Sequence, residues 1–176
     1  MKYFIIIVVW FAIIVGDGTI LSALTGLPAG FGIIALLSAL AVTFGIYRWV
    51  IILGIVLAGI TELMLGLYFG TIISAWLVIA WVWHILNRFL NINLANENVS
   101  LMVLIPLTML GFSLFIIGEG VLWAISNFVY KSGLNIMTLI NIFRLPVICI
   151  IILIELSVTI FILRFGYRSK NPIYAG

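Results

Sequence analysis

Residues 49–90 read WVIILGIVLAGITELMLGLYFGTIISAWLVIAWVWHILNRFL, and this stretch decides the fold. Before Asn87 and Arg88 its only formal charge is Glu62. The run is twice as long as the roughly 20 residues a helix needs to cross a bilayer. It therefore reads as two spans. The division falls at Gly66-Leu67-Tyr68-Phe69-Gly70, where two glycines permit a tight turn. One span is expected over 49–67 and the next over 71–89.

Upstream, Met1-Lys2 is followed by an apolar run, so a first span is expected over 3–24. Its opening has the outline of a signal peptide. However, Ser22-Ala23-Leu24 is a poor cleavage site, and the first helix is expected to be retained. Thr25-Gly26-Leu27-Pro28-Ala29-Gly30 breaks it, because Gly and Pro punctuate helices. A short second span is expected over 31–47, and Arg48 marks its polar end. Downstream, residues 87–100 form a polar loop with Asn91, Asn93, Asn96, Glu97 and Asn98. A long fifth span over 101–128 requires tilt or protrusion. Asn135, Thr138 and Asn141, three residues apart, suggest an interfacial helix or the exposed start of the sixth span. Pro146 breaks or kinks the chain there, the last span is expected over 146–165, and 166–176 is a polar tail.

The composition agrees. The apolar fraction is 66% and charged residues are 7%, with a mean hydropathy of +1.43. A soluble domain carries about 25% charge to wet its surface, whereas side chains facing hydrocarbon can all be apolar. The expected fold is an all-α membrane protein of six transmembrane helices in a single domain, 1–165. A net charge of +3 is too small to suggest nucleic acid. Cys149 is the only cysteine, which excludes an internal disulfide, and it lies in an apolar run.

Orientation follows from Lys and Arg. With six spans, Lys2, Arg48, Arg88, Arg164, Arg168 and Lys170 share the side of the N-terminus, and Lys131 and Arg144 lie opposite. Both termini are therefore expected inside.

An acid within a span costs about 2.5 to 3.5 kcal/mol on insertion scales, so Asp17, Glu62, Glu119 and Glu155 each need a reason. At 1.5 Å per residue, Glu62 lies about 21 Å from Arg48 along its helix, and Glu119 about 28 Å along the fifth. Arg144 begins the sixth span at the level expected for Glu119 and Asp17. A charge-assisted contact among them would lower the cost of both signs. A substrate or partner contact, or simple snorkelling, would also explain Arg144. Gly59, Glu62, Gly66 and Gly70 share one helix face. Small residues on one stripe allow close approach of another backbone, so this face reads as a helix-packing or partner seam with a polar lock.

No metal site is expected, since His84, in Trp81-Val82-Trp83-His84, is the only histidine and no second ligand stands at metal-binding spacing. It reads as part of an aromatic interfacial belt. Neither G-x-S-x-G nor H-E-x-x-H is present. The expectation is a non-enzyme without a cofactor.

The pattern Gly54-x4-Gly59-x2-Glu62-x3-Gly66-x3-Gly70 resembles the third span of the bacterial rod-shape-determining protein MreD family. The order of elements over 1–90 is similar as well, although that family more often carries Asp where Glu62 stands. Beyond residue 90 the likeness consists of helix count and length. The resemblance implies a non-enzymatic scaffold of the cell-wall elongation complex in the bacterial inner membrane. Its partners would be an MreC-like bitopic protein and other membrane proteins of that complex. The family's fold is thought to resemble the substrate-binding subunits of energy-coupling-factor vitamin transporters. A transporter subunit is accordingly the alternative.

Overall fold

The computed structural model describes residues 2–16, 31–90, 101–130 and 146–168. These residues form six α-helices and no strand. They are α1 (Lys2–Gly16), α2 (Phe31–Phe44), α3 (Arg48–Leu65), α4 (Thr71–Leu90), α5 (Leu101–Phe128) and α6 (Pro146–Arg168). Three stretches, Arg48–Leu65, Thr71–Phe89 and Leu104–Phe128, are long and apolar enough to cross a membrane. Large apolar side chains lie exposed along their outer faces, among them Ile52, Val56, Ile60, Leu63 and Met64 on α3. A continuous exposed apolar surface of this kind marks a membrane or protein contact.

The organising element is α2. Every residue from 32 to 43 is buried, and the helix packs against all five others. A helix that is apolar all round must be enclosed by lipid or by protein. Here protein encloses it. At 14 residues it is about 21 Å long, shorter than the roughly 30 Å hydrocarbon core. Opposite α2 on α5, Gly118 faces Ile34 and Gly111 faces Val42. Residue numbers rise on one helix as they fall on the other, so α2 and α5 run antiparallel. A Cβ at Gly118 would come within 2.7 Å of both Ile34 and Ile79, so glycine is what lets α2, α4 and α5 meet there. On the α5–α6 interface the Thr108 and Ser157 hydroxyls lie 3.3 Å apart. Each also donates its one proton to its own helix, to Leu104 O at 2.8 Å and Leu153 O at 2.7 Å. Their mutual contact is therefore mainly one of packing.

Several boundaries differ from the sequence expectation. The second helix ends at Phe44, three residues short of 47, because Gly45 turns the chain with φ +70°. Tyr47, in extended backbone, then starts α3 and accepts from Val50 and Ile51 N–H. The third helix ends at Leu65, before the expected 67. The fourth continues to Leu90, so Asn87 and Arg88 belong to helix, and the polar loop starts later than residue 87. The sixth extends to Arg168, past 165. Residues 17–24 of the expected first span, the loop at 91–100, the 135–144 segment and the end of the tail lie outside the described residues.

Candidate functional site

A buried polar arrangement in the described core is built on the α3–α4 hairpin. Gly66 ends α3 in the left-handed conformation, φ +64°, and its N–H bonds to Glu62 O. Leu67 N–H reaches the same carbonyl at 2.9 Å. A left-handed residue at this position satisfies carbonyls that the end of a helix leaves over. Gly70, φ +94°, then turns the chain into α4. Two helices joined by so short a link lie side by side, which returns α4 along the Glu62 face of α3.

That return brings the start of α4 onto the Glu62 side chain, which is fully buried. Oε2 accepts from Gly70 N–H at 2.7 Å. Oε1 accepts from Ile73 N–H at 3.1 Å and, closer still, from Ile72 N–H. The Thr71 hydroxyl stands 3.4 Å from Oε1. Its proton is better placed toward Tyr68 O at 2.9 Å, so the backbone donors dominate. The first turn of a helix leaves N–H groups without intrahelical partners, and its positive end favours a carboxylate. Glu62 supplies that carboxylate from the preceding helix. One residue thus closes α3 with its carbonyl and caps α4 with its side chain.

The four seam positions consequently divide. Gly59 faces α4, where a Cβ would meet Ile73 Cδ1 at 3.7 Å, and Glu62 lies buried at the start of α4. Gly66 and Gly70 belong to the turn, and a Cβ on either would meet open space. The closest approach lies one turn earlier. At Gly54 a Cβ would stand 2.3 Å from the Trp76 ring. The buried Trp76 indole donates to Ile51 O at 3.1 Å. Sequence reasoning placed Gly54 in the spacing pattern but missed Trp76, and a tryptophan within an otherwise aliphatic stretch was the available signal. The turn is also held from outside. Tyr130 stacks on Tyr68, with ring centroids 4.2 Å apart and planes 4° from parallel, and donates its hydroxyl to Phe69 O at 2.8 Å.

Of the suggested Asp17–Glu119–Arg144 group, Glu119 is buried on α5 beside Gly118. Asp17 and Arg144 lie outside the described residues. Glu155 and Cys149 are half-buried on α6. In the Trp81–His84 stretch, Trp83 enters the core, while Trp81 and His84 are exposed. Among the described residues no three His, Cys, Asp or Glu side chains come together.

Fold and site thus define a class, a protein all-helical among the described residues, with three helices of membrane-spanning length and a buried acid, Glu62, satisfied within a hairpin. Compared with protein-family models, curated proteins and solved structures, the chain gives no significant match.

Proposed function

We propose that this chain is a non-enzymatic membrane scaffold that works by binding the transmembrane helices of partner proteins. In this reading the chain crosses the bilayer six times with both termini in the cytoplasm. Being too short to span hydrocarbon alone, α2 crosses inside the ring of the other five helices. The observation that carries this proposal is Glu62. Its carboxylate is taken up by Gly70, Ile72 and Ile73 N–H. A group so engaged is part of the framework and is not offered to a substrate as acid, base or nucleophile. The outer faces of α1, α3 and α6 expose apolar side chains, and helix association in lipid depends on packing and a few polar contacts.

The finer assignment is to the cell-wall elongation complex of the bacterial inner membrane. It rests on the MreD-like spacing of Gly54, Gly59, Glu62, Gly66 and Gly70. The hairpin supports it by giving each of these residues a structural task, so a partner helix docks on the apolar outer faces and not on Glu62. Co-expression with an MreC-like bitopic protein, followed by purification in mild detergent, tests the assignment. Stoichiometric capture is expected, with no capture of an unrelated single-span protein. A vitamin-sized ligand found by native mass spectrometry, without protein capture, would replace the scaffold by the transporter subunit.

A further inference from the structure

The outer seam between α3 and α4 changes character along its length. The two helices run antiparallel, with Gly59 beside Ile73 Cδ1 and Gly54 beside the Trp76 ring. Arg48 stands eleven residues before Gly59, and His84 eleven after Ile73. Eleven residues complete three helical turns to within about 20°, so Arg48 and His84 repeat the Gly59–Ile73 pairing three turns lower. Both are exposed, as are Asn87 and Arg88, which share the His84 face at spacings of three and four. Two arginines, an imidazole and an amide thus gather at one end of the seam. Glu62, the sole acid on either helix, lies toward the other, about 21 Å along α3. Between the basic end and Gly59 the seam is apolar, with Ile52 and Val56 on α3 and Leu77 and Trp81 on α4 exposed along it. It rises about 16 Å, close to half of the roughly 30 Å hydrocarbon core.

We propose that this seam holds one anionic phospholipid, with its phosphate on Arg48, His84, Asn87 and Arg88 and an acyl chain laid along Ile52, Val56, Leu77 and Trp81 toward Gly59. The proportions match, a cationic end beneath an apolar track one leaflet deep. Guanidinium forks fit phosphate oxygens, the imidazole and amide add N–H donors, and an exposed indole suits the boundary between headgroup and chain. An arginine in the first turn of α3 opposes the positive end of that helix, so the helix itself gains nothing from Arg48. A zwitterionic headgroup sets its own cation against the two arginines and is disfavoured. In the proposed orientation the site opens to the cytoplasmic leaflet, where anionic lipid attracts basic residues. The inference rests on membrane embedding and is independent of which partner the scaffold binds.

The test is a lipid competition. The full chain, delipidated in mild detergent, is offered equal amounts of dioleoyl phosphatidylglycerol and dioleoyl phosphatidylcholine, and native mass spectrometry counts the lipid retained. The parent should keep one phosphatidylglycerol in preference to phosphatidylcholine. Arg48→Gln should lower that preference roughly fivefold, and Arg48→Gln with Arg88→Gln roughly twenty-five-fold, the worth of arginines beside an anionic headgroup. Arg168→Gln removes a charge from the end of α6, which has no extended contact with α3 or α4. It should change the preference less than about twofold, because distant charges are screened. Flotation with liposomes, expected of every variant, reports membrane embedding separately. A parent that takes up the two lipids equally overturns the site. Equal losses from Arg48→Gln and Arg168→Gln also overturn it, since net charge alone would then govern binding.

Discussion

Replacing Glu62 with leucine probes the hairpin most directly. The side chains are similar in size, so the change removes the carboxylate without opening a large cavity. It strands the N–H groups of Gly70, Ile72 and Ile73, which Glu62 now accepts. Interhelical hydrogen bonds in membranes average about 0.6 kcal/mol and reach about 1.7, so three of them bracket the loss between roughly 2 and 5 kcal/mol. Gly70 and Ile73 are only half-buried, and partial rehydration near the turn brings the expectation to about 2 to 3 kcal/mol, somewhat above the loss of an ordinary helix cap. Glu62→Gln retains one acceptor oxygen and should lose roughly half as much. Glu62→Asp is a methylene shorter and should fall near leucine. The assay is unfolding in mixed detergent micelles by added dodecyl sulfate, followed by far-ultraviolet circular dichroism. Leu63→Ala, on the exposed outer face, is the control. Should Glu62→Leu unfold within about 0.5 kcal/mol of the parent, the capping role is refuted, because ordinary surface substitutions reach that size.

Three other outcomes are expected. Gly54→Ala forces a methyl group against Trp76 and should cost about 1 to 3 kcal/mol as overpacking. The same denaturation assay checks this, and Trp76→Leu should recover part of the loss. Gly66→Ala places a side chain at φ +64° and should cost about 1 to 2 kcal/mol although nothing blocks its Cβ, whereas Leu65→Ile should be nearly neutral. An insensitive Gly66→Ala would mean that the left-handed cap contributes little. For topology, on a cysteine-free background, an impermeant maleimide added outside intact cells should label Ser132→Cys and not Asn93→Cys. Labelling at position 93 would overturn the six-span arrangement.

The sequence by itself determined the helical class and located the central hairpin. Its composition excludes a wetted surface, and the apolar run over 49–90 is too long for one span, while Gly66 and Gly70 mark where it must turn. It also isolated Glu62, because a lone acid in an apolar run demands compensation. What compensates it could not be read there. The donors are Gly70, Ile72 and Ile73 N–H, and backbone groups leave no trace in a residue pattern. A glycine stripe likewise does not say what approaches it. Gly54 admits the Trp76 ring, while Gly66 and Gly70 are needed for their backbone angles. Only the tertiary structure distinguished α2 from its neighbours. Hydropathy treats a helix surrounded by lipid and one surrounded by other helices alike, since both are apolar on every side. Enclosure of residues 32–43 by five helices is decided by packing between segments far apart in the chain, as is the Trp10–Thr61 contact across α1 and α3.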